Sequence, residues 1–296
     1  MTRLRANLCL LLTAFIWGLA FIAQKTGMEG LGPFGFSGVR FALSALVVLP
    51  LALWERRKPD AVLMTGKQCC RTIVLGVVFF LAVVSQQAGM LTTSVSNASF
   101  LTGLYVIFVP AFAWILFRRP PALVIWPSCL VALAGVWLLS GMSPGGFAPG
   151  DRLVLLSAVL FGAQVALVGF LVQETRRPFT LALAQYTVCA VVGTGAALLF
   201  EGLDFAGIEN NLLQILYAGL ISGGIAYTLQ IVAQQYTPPS HAAIIMLMES
   251  PFAALAGMLV LGDRLGPLGL AGCGLIFAAA LLAESGTLII RKKPVV

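Results

Sequence analysis

Ten apolar runs, each near the length that crosses a bilayer, leave this chain almost no residues for anything else. They occupy 7–24, 33–54, 71–90, 97–117, 122–141, 152–172, 179–200, 211–234, 241–261 and 266–288. A helix rises about 1.5 Å per residue, so about 20 apolar residues span the hydrocarbon core. The connections are too short to hold a soluble domain. Composition agrees: 59% of residues are hydrophobic and 10% are charged, against about 25% charged in a typical soluble domain. The chain therefore reads as an all-α integral membrane protein with about ten transmembrane helices. The first run follows Arg3 and Arg5 as a signal peptide would, but its small-x-small cleavage site is poor. It is read as an uncleaved helix.

The charges set the orientation. With the N-terminus in the cytoplasm, 14 of the 18 basic residues fall on the cytoplasmic side, in segments such as Arg56-Arg57-Lys58, Arg118-Arg119, Arg176-Arg177 and Arg291-Lys292-Lys293. Lys25, Arg40, Arg152 and Arg264 lie outside or within a span, and the acidic stretch from Glu201 to Asp204, with Glu209, lies outside. An even helix count then places both termini in the cytoplasm of a bacterial inner-membrane protein. The net charge of +7 forms no continuous basic face, so nucleic acid is not an expected partner. None of the six cysteines forms a C-x-x-C pair, and one histidine with no clustered cysteines supplies no metal ligand set. No cofactor is expected.

Sliding the chain by 144 residues superposes its halves. Leu11, Leu12, Ala14 and Gly18 fall on Leu155, Leu156, Ala158 and Gly162; Gln86 falls on Gln230, and Ala98 on Ala242. The register holds except for a slip of about one residue near the second helix. The chain thus divides into repeats at 1–147 and 148–296, each of five spans. An odd number of crossings turns the second copy upside down relative to the first. Inverted repeats are the architecture of alternating-access transporters, with the substrate site near the midplane between the halves.

The order of short motifs across both copies resembles the EamA-type transporters of the drug/metabolite transporter superfamily. The residues are Phe15-Ile16-Trp17-Gly18, the stretch from Asn97 to Leu104, Ala242-Ala243, Glu249-Ser250-Pro251, and Leu261-Gly262-Asp263, where the family usually has Glu in place of Asp263. The resemblance implies movement of small metabolites, often amino acids, through a central cavity.

Charged groups within a membrane are costly and mark function by default. Arg40 and Glu249 qualify. They lie about 10 Å and 12 Å into a core of about 30 Å from opposite sides, leaving a gap of about 8 Å that an ion pair between neighbouring helices would nearly close. A guanidinium matches a substrate carboxylate, whereas Glu249 suits a substrate ammonium group or a proton. The alternatives are structural: Arg40 capping carbonyls or snorkelling, and Glu249 joining two helices as a neutral carboxyl. The 144 offset puts Tyr105 opposite Glu249, so the fold itself does not demand the acid. Other polar and aromatic residues expected to line the cavity are Trp17, Gln24, Gln86, Asn97, Gln164, Tyr227, Gln230 and His241. Pro110 and Pro251 are candidate hinges.

The sequence-based expectation is a metabolite exporter of amino acids or related compounds, working by alternating access as a monomer or weak homodimer. Proton-coupled drug efflux with Glu249 as carrier is the alternative mechanism, and a lipid flippase a third. Gly35-Phe36-Ser37-Gly38 also reads as the G-x-S-G of an intramembrane serine protease, which requires Ser37 to meet His241; a protease, however, has no use for a repeated five-helix unit.

Overall fold

In the computed structural model the described residues are 1–58, 63–118, 120–140, 149–202, 205–261 and 266–291. Arg119, Asp204, Gly262, Asp263, Arg264, Lys292, Lys293 and the expected repeat junction at 147/148 lie outside them. The first three spans are α1 (Arg3–Thr26), α2 (Pro33–Arg56) and α3 (Gly66–Met90). The fourth is split into α4 (Val95–Gly103) and α5 (Tyr105–Phe117), and the fifth is α6 (Ile125–Leu139). The second half runs through α7 (Pro149–Thr175), α8 (Pro178–Phe200) and the short α9 (Phe205–Asn210). Its third span joins α10 (Leu212–Leu216), a π-helical segment (Tyr217–Tyr227) and α11 (Thr228–Ala233). The ninth span is α12 (Pro239–Met246), α13 (Glu249–Ala256) and a π turn (Gly257–Leu261); α14 (Pro267–Arg291) is the tenth.

Among the described residues nine spans are long and apolar enough to cross a membrane, and α6 is a shorter apolar helix of 15 residues. Sequence alone extends that run over 122–141; the helix is confined between the turn after Pro120-Pro121 and the C-cap at Ser140. The third helix starts earlier than its apolar run, because Thr65 and Gln68 form a capping box that satisfies first-turn donors.

The two halves are inverted copies, visible in how helices pair. α2 packs along α8 and α6 along α14, each helix against its counterpart in the other repeat. The ends of α2 and α8 show the direction. The Glu201 carboxylate, just past α8, accepts from the Phe34 and Gly35 amides at 3.0 and 2.8 Å. The Glu55 carboxylate, at the end of α2, accepts from the Phe179 and Thr180 amides at 3.2 and 2.9 Å. Each helix therefore caps the other's exposed N-terminus with an anion, which suits the helix dipole. The pair is antiparallel. One face of the protein carries the start of α1 and the end of α14, joined by the Arg3–Glu284 ion pair at 3.0 Å; it is called the N-terminal face below.

The close contacts repeat as well. A Cβ added to Gly18 would lie 2.7 Å from Phe252 Cβ, and one added to Gly162 would lie 2.5 Å from Phe108 Cβ. Both pairs are related by the offset of 144, and in both only glycine lets the helices meet. The π segment has no counterpart in α3. Its Gly219, Gly223 and Gly224 sit against Arg40, Ser44 and Val47 of α2. Ser44 Oγ donates to the Gly219 carbonyl at 2.7 Å, consistent with a widened turn whose carbonyls need outside partners.

A candidate substrate cavity between the repeats

Residues four and three apart on α1 share one face, and Trp17, Phe21 and Gln24 use that face to line an internal cavity. Trp17 Nε1 donates to the Ser222 carbonyl at 3.3 Å, and its ring lies 4.5 Å from that of Tyr227. Ser222 and Tyr227 are presented by the π segment and complete this wall.

Arg40 enters from α2, buried to 3% exposure. Its guanidinium lies near the Phe36 and Phe41 rings, at 5.2 and 4.8 Å from their centroids, and Nη1 donates to Gln24 Oε1 at 3.0 Å. Its Nε has no partner. On the far wall Gln86 donates to Thr102 at 2.9 Å, and Tyr105 OH donates to the Ala243 carbonyl at 3.4 Å. Gln164 of α7 donates to Gln185 at 2.8 Å.

Glu249, the first residue of α13, is buried to 3% exposure and its Oε1 accepts no hydrogen bond. Arg40 and Glu249 line the same cavity but form no ion pair; the ion pairs found among the described residues are Arg3–Glu284 and Arg71–Glu174. The direct Arg40–Glu249 bridge is thus not made. Gln24 takes the guanidinium instead, because it is one of the α1 residues on the wall beside Arg40.

Four pairs of lining residues are equivalents at the 144 offset: Trp17 and Phe161, Phe21 and Val165, Thr102 and Met246, Tyr105 and Glu249. The cavity therefore sits on the pseudo-two-fold axis. Its volume is about 40 Å³, room for about three waters. A second, more apolar pocket of about 280 Å³ adjoins it toward the face opposite the N-terminus, between α1, α4, α6 and α13.

Trp17, Gln24, Arg40, Gln86, Tyr105, Gln164, Tyr227 and Glu249 are brought together here. Three expected residues are not. Gln230 stands one step behind the wall and donates to Gln164 at 3.5 Å and to Gln234 at 3.2 Å. Asn97 lies in the first turn of α4, where its backbone N–H donates to the Oγ of the N-cap residue Ser94 at 3.1 Å. His241 is in the first turn of α12 on the N-terminal face, near Arg3 and Glu284. Ser37 lies in the second turn of α2, near the opposite face, so the serine–histidine dyad is not assembled.

Neither hinge candidate, Pro110 or Pro251, coincides with a break in its span. The chain breaks at Leu104 and at Leu247-Met248. Pro251 is the third residue of α13, a first-turn position where its missing N–H costs little. Pro110 lies inside the continuous α5. Phe21, Phe161, Val165, Ser222 and Met246 line the cavity without having been singled out from sequence. Phe161 and Met246 were within reach, as counterparts of Trp17 and Thr102.

Comparison with known proteins bears on this geometry. The model of the EamA-like transporter family matches the chain twice, over residues 4–141 and 148–284. An uncharacterized transporter of Archaeoglobus fulgidus is 31% identical over 95% of this chain and 86% of its own length. An S-adenosylmethionine/S-adenosylhomocysteine transporter of Chlamydia trachomatis is 26% identical over 95% of this chain and 88% of its own. A solved crystal structure superposes with a TM-score of 0.78, covering 99% of both chains at 17% identity; that likeness concerns the fold alone.

Proposed function

The chain belongs to the EamA-like transporter family, and we propose that this multi-pass membrane transporter exports small zwitterionic metabolites of the amino-acid class by alternating access through the central cavity. One observation carries the reading. Arg40 and Glu249 line one buried cavity without neutralising each other, and each keeps an unused polar atom, Nε and Oε1. Buried charges left apart are expensive unless something joins them. A molecule bearing a carboxylate and an ammonium group would join them, with the carboxylate at Arg40 and the ammonium at Glu249. The rings of Trp17, Tyr105, Phe161 and Tyr227 suit the apolar remainder. The cargo named for the Chlamydia trachomatis relative carries such a zwitterionic head, which supports the class.

The basic residues on the N-terminal face support a cytoplasmic location for both termini in a bacterial inner membrane. Counterflow of a panel of labelled amino acids in proteoliposomes tests the proposal. At least one should exchange, and Arg40→Gln and Glu249→Gln should each slow that exchange about a hundredfold. Exchange at the wild-type rate in both variants overturns it.

The unpartnered Glu249 Oε1 also favours a second reading, a proton carrier driving efflux. An imposed pH gradient separates the two. Flux accelerated by the gradient in the wild type but not in Glu249→Gln supports the carrier; indifference to the gradient in both supports zwitterion binding.

A further inference from the structure

The polar cavity and the larger apolar pocket touch at one side chain. Among the described residues, Phe21 of α1 lines both. Around it the two compartments divide along the helices: Trp17 faces the cavity while Gly18 faces the pocket, and Glu249 faces the cavity while Ser250 faces the pocket. Phe21 is buried to 3% exposure, although a pocket of about 280 Å³ lies directly beside it. Lys25 and Thr26 at the end of α1, and Ser140 after α6, place this pocket toward the face opposite the N-terminus.

The inverted repeat gives this pocket a counterpart on the N-terminal face, and that counterpart is filled. Ser99, Ser250 and Ala253 of the pocket correspond to Ala243, Val106 and Val109, each with no exposed surface. Lys25 corresponds to Gly169, whose backbone abuts Pro239 so closely that a Cβ has no space. Tyr105 OH adds a hydrogen bond to the Ala243 carbonyl across the same seam. Packing of α12 against α5 and α7 therefore closes the N-terminal side over several residues. The corresponding barrier on the other side is thin.

We propose that Phe21 is the partition controlling passage between the apolar pocket and the polar cavity, so that the two closures of this protein are unequal: one aromatic side chain toward the opposite face, and the seam of α12 with α5 and α7 toward the N-terminal face. This rests on the transport reading above, since a partition has a purpose only if something crosses it. Closure by a single side chain needs only a rotamer change, whereas opening the seam requires helices to separate. The two barriers therefore lie on different timescales.

The test uses full-length protein with its six native cysteines replaced, reconstituted in liposomes. Thr102→Cys places a thiol in the polar cavity, and Ser99→Cys places one in the apolar pocket. A membrane-impermeant methanethiosulfonate reagent is applied from the face opposite the N-terminus. Labelling rate follows the fraction of time a path is open, so adding Phe21→Ala should raise labelling of Thr102→Cys about tenfold and leave that of Ser99→Cys unchanged. Phe21→Trp should lower it. Unchanged labelling of Thr102→Cys in the Phe21→Ala background overturns the proposal. If Phe21→Ala also alters Ser99→Cys labelling, the protein has been disturbed, and Phe21→Leu replaces it with the same criterion. The readout needs no substrate. Faster labelling in a protein that moves no metabolite would sink the transport reading alone, and normal transport with unchanged labelling would sink the partition alone.

Discussion

The fourth and ninth spans are the same device built twice with different chemistry. Each is interrupted mid-membrane at equivalent positions, Leu104 and Met248, which are 144 residues apart. Each tightens there through a short backbone bond: Leu104 N donates to the Leu101 carbonyl at 3.2 Å, and Met248 N to the Ile245 carbonyl at 3.1 Å. Each resumes with a residue that lines the cavity, Tyr105 in one and Glu249 in the other. The phenol hydroxyl finds the Ala243 carbonyl; the carboxylate keeps an oxygen without a partner. A shared break belongs to the fold. The unshared charge does not.

Removing that difference should have the largest effect. Glu249→Tyr makes the two spans alike at this position, and Glu249→Gln keeps the shape while removing the charge. A charge-assisted hydrogen bond contributes about 3 kcal/mol, so Glu249→Gln should slow exchange of a bound zwitterion about a hundredfold. Its melting temperature should not fall, since no internal bond to Oε1 is lost. Glu249→Tyr should be inactive. A Glu249→Gln protein that transports at the wild-type rate would mean that the asymmetry is idle.

The shared part can be broken symmetrically. Gly18→Val and Gly162→Val both push a side chain into the phenylalanine opposite, Phe252 or Phe108. Overpacking of this kind costs about 1–3 kcal/mol. The two variants should lose similar stability in a thermal or denaturant melt. A clear loss in one only would show that the two crossings are not equivalent. Glu55→Gln and Glu201→Gln probe the next level down. Each weakens one of the reciprocal caps on α8 and α2, an interaction of about 1 kcal/mol, and the two effects should add, because the sites lie at opposite ends of the helix pair.

Much of this was readable without coordinates. Span length, charge placement and the 144 offset follow from hydropathy and identity, which vary slowly along the chain. The offset even pairs Tyr105 with Glu249. Sequence could not say where inside the bundle a polar residue points. Asn97 and His241 are as polar as Gln86, yet one sits in the first turn of α4 and the other near Arg3 and Glu284 at the N-terminal face. Glu201 read as part of an acidic outer loop, whereas it closes onto the first turn of α2; a capping partner 166 residues away leaves no local signal. Phe21 carries no polarity to draw notice, and its position becomes informative only once two cavities are seen to meet at it. The prolines do not mark the breaks either: a proline reports a missing donor, and the breaks fall at Leu104 and Leu247-Met248.

Pro251 offers the smallest and sharpest test. In the first copy the turn after the break is closed by Ile107 N donating to the Leu104 carbonyl at 3.1 Å. The equivalent donor in the second copy would be residue 251, and proline has none. The Met248 carbonyl is taken by Phe252 N instead, at 3.1 Å, so no acceptor is stranded. Pro251→Ala restores the missing N–H without disturbing that bond and lets the ninth span copy the fourth. Proline's stabilising restriction of the unfolded chain is lost at the same time, about 0.4–1 kcal/mol. Stability should therefore fall by no more than about 1 kcal/mol, and exchange should stay within a few-fold of wild type. Because the fourth span breaks without a proline at this position, a severe transport defect in a stable Pro251→Ala protein would show that the ninth span bends by a means the fourth lacks. The two interruptions would then be alike in outline only.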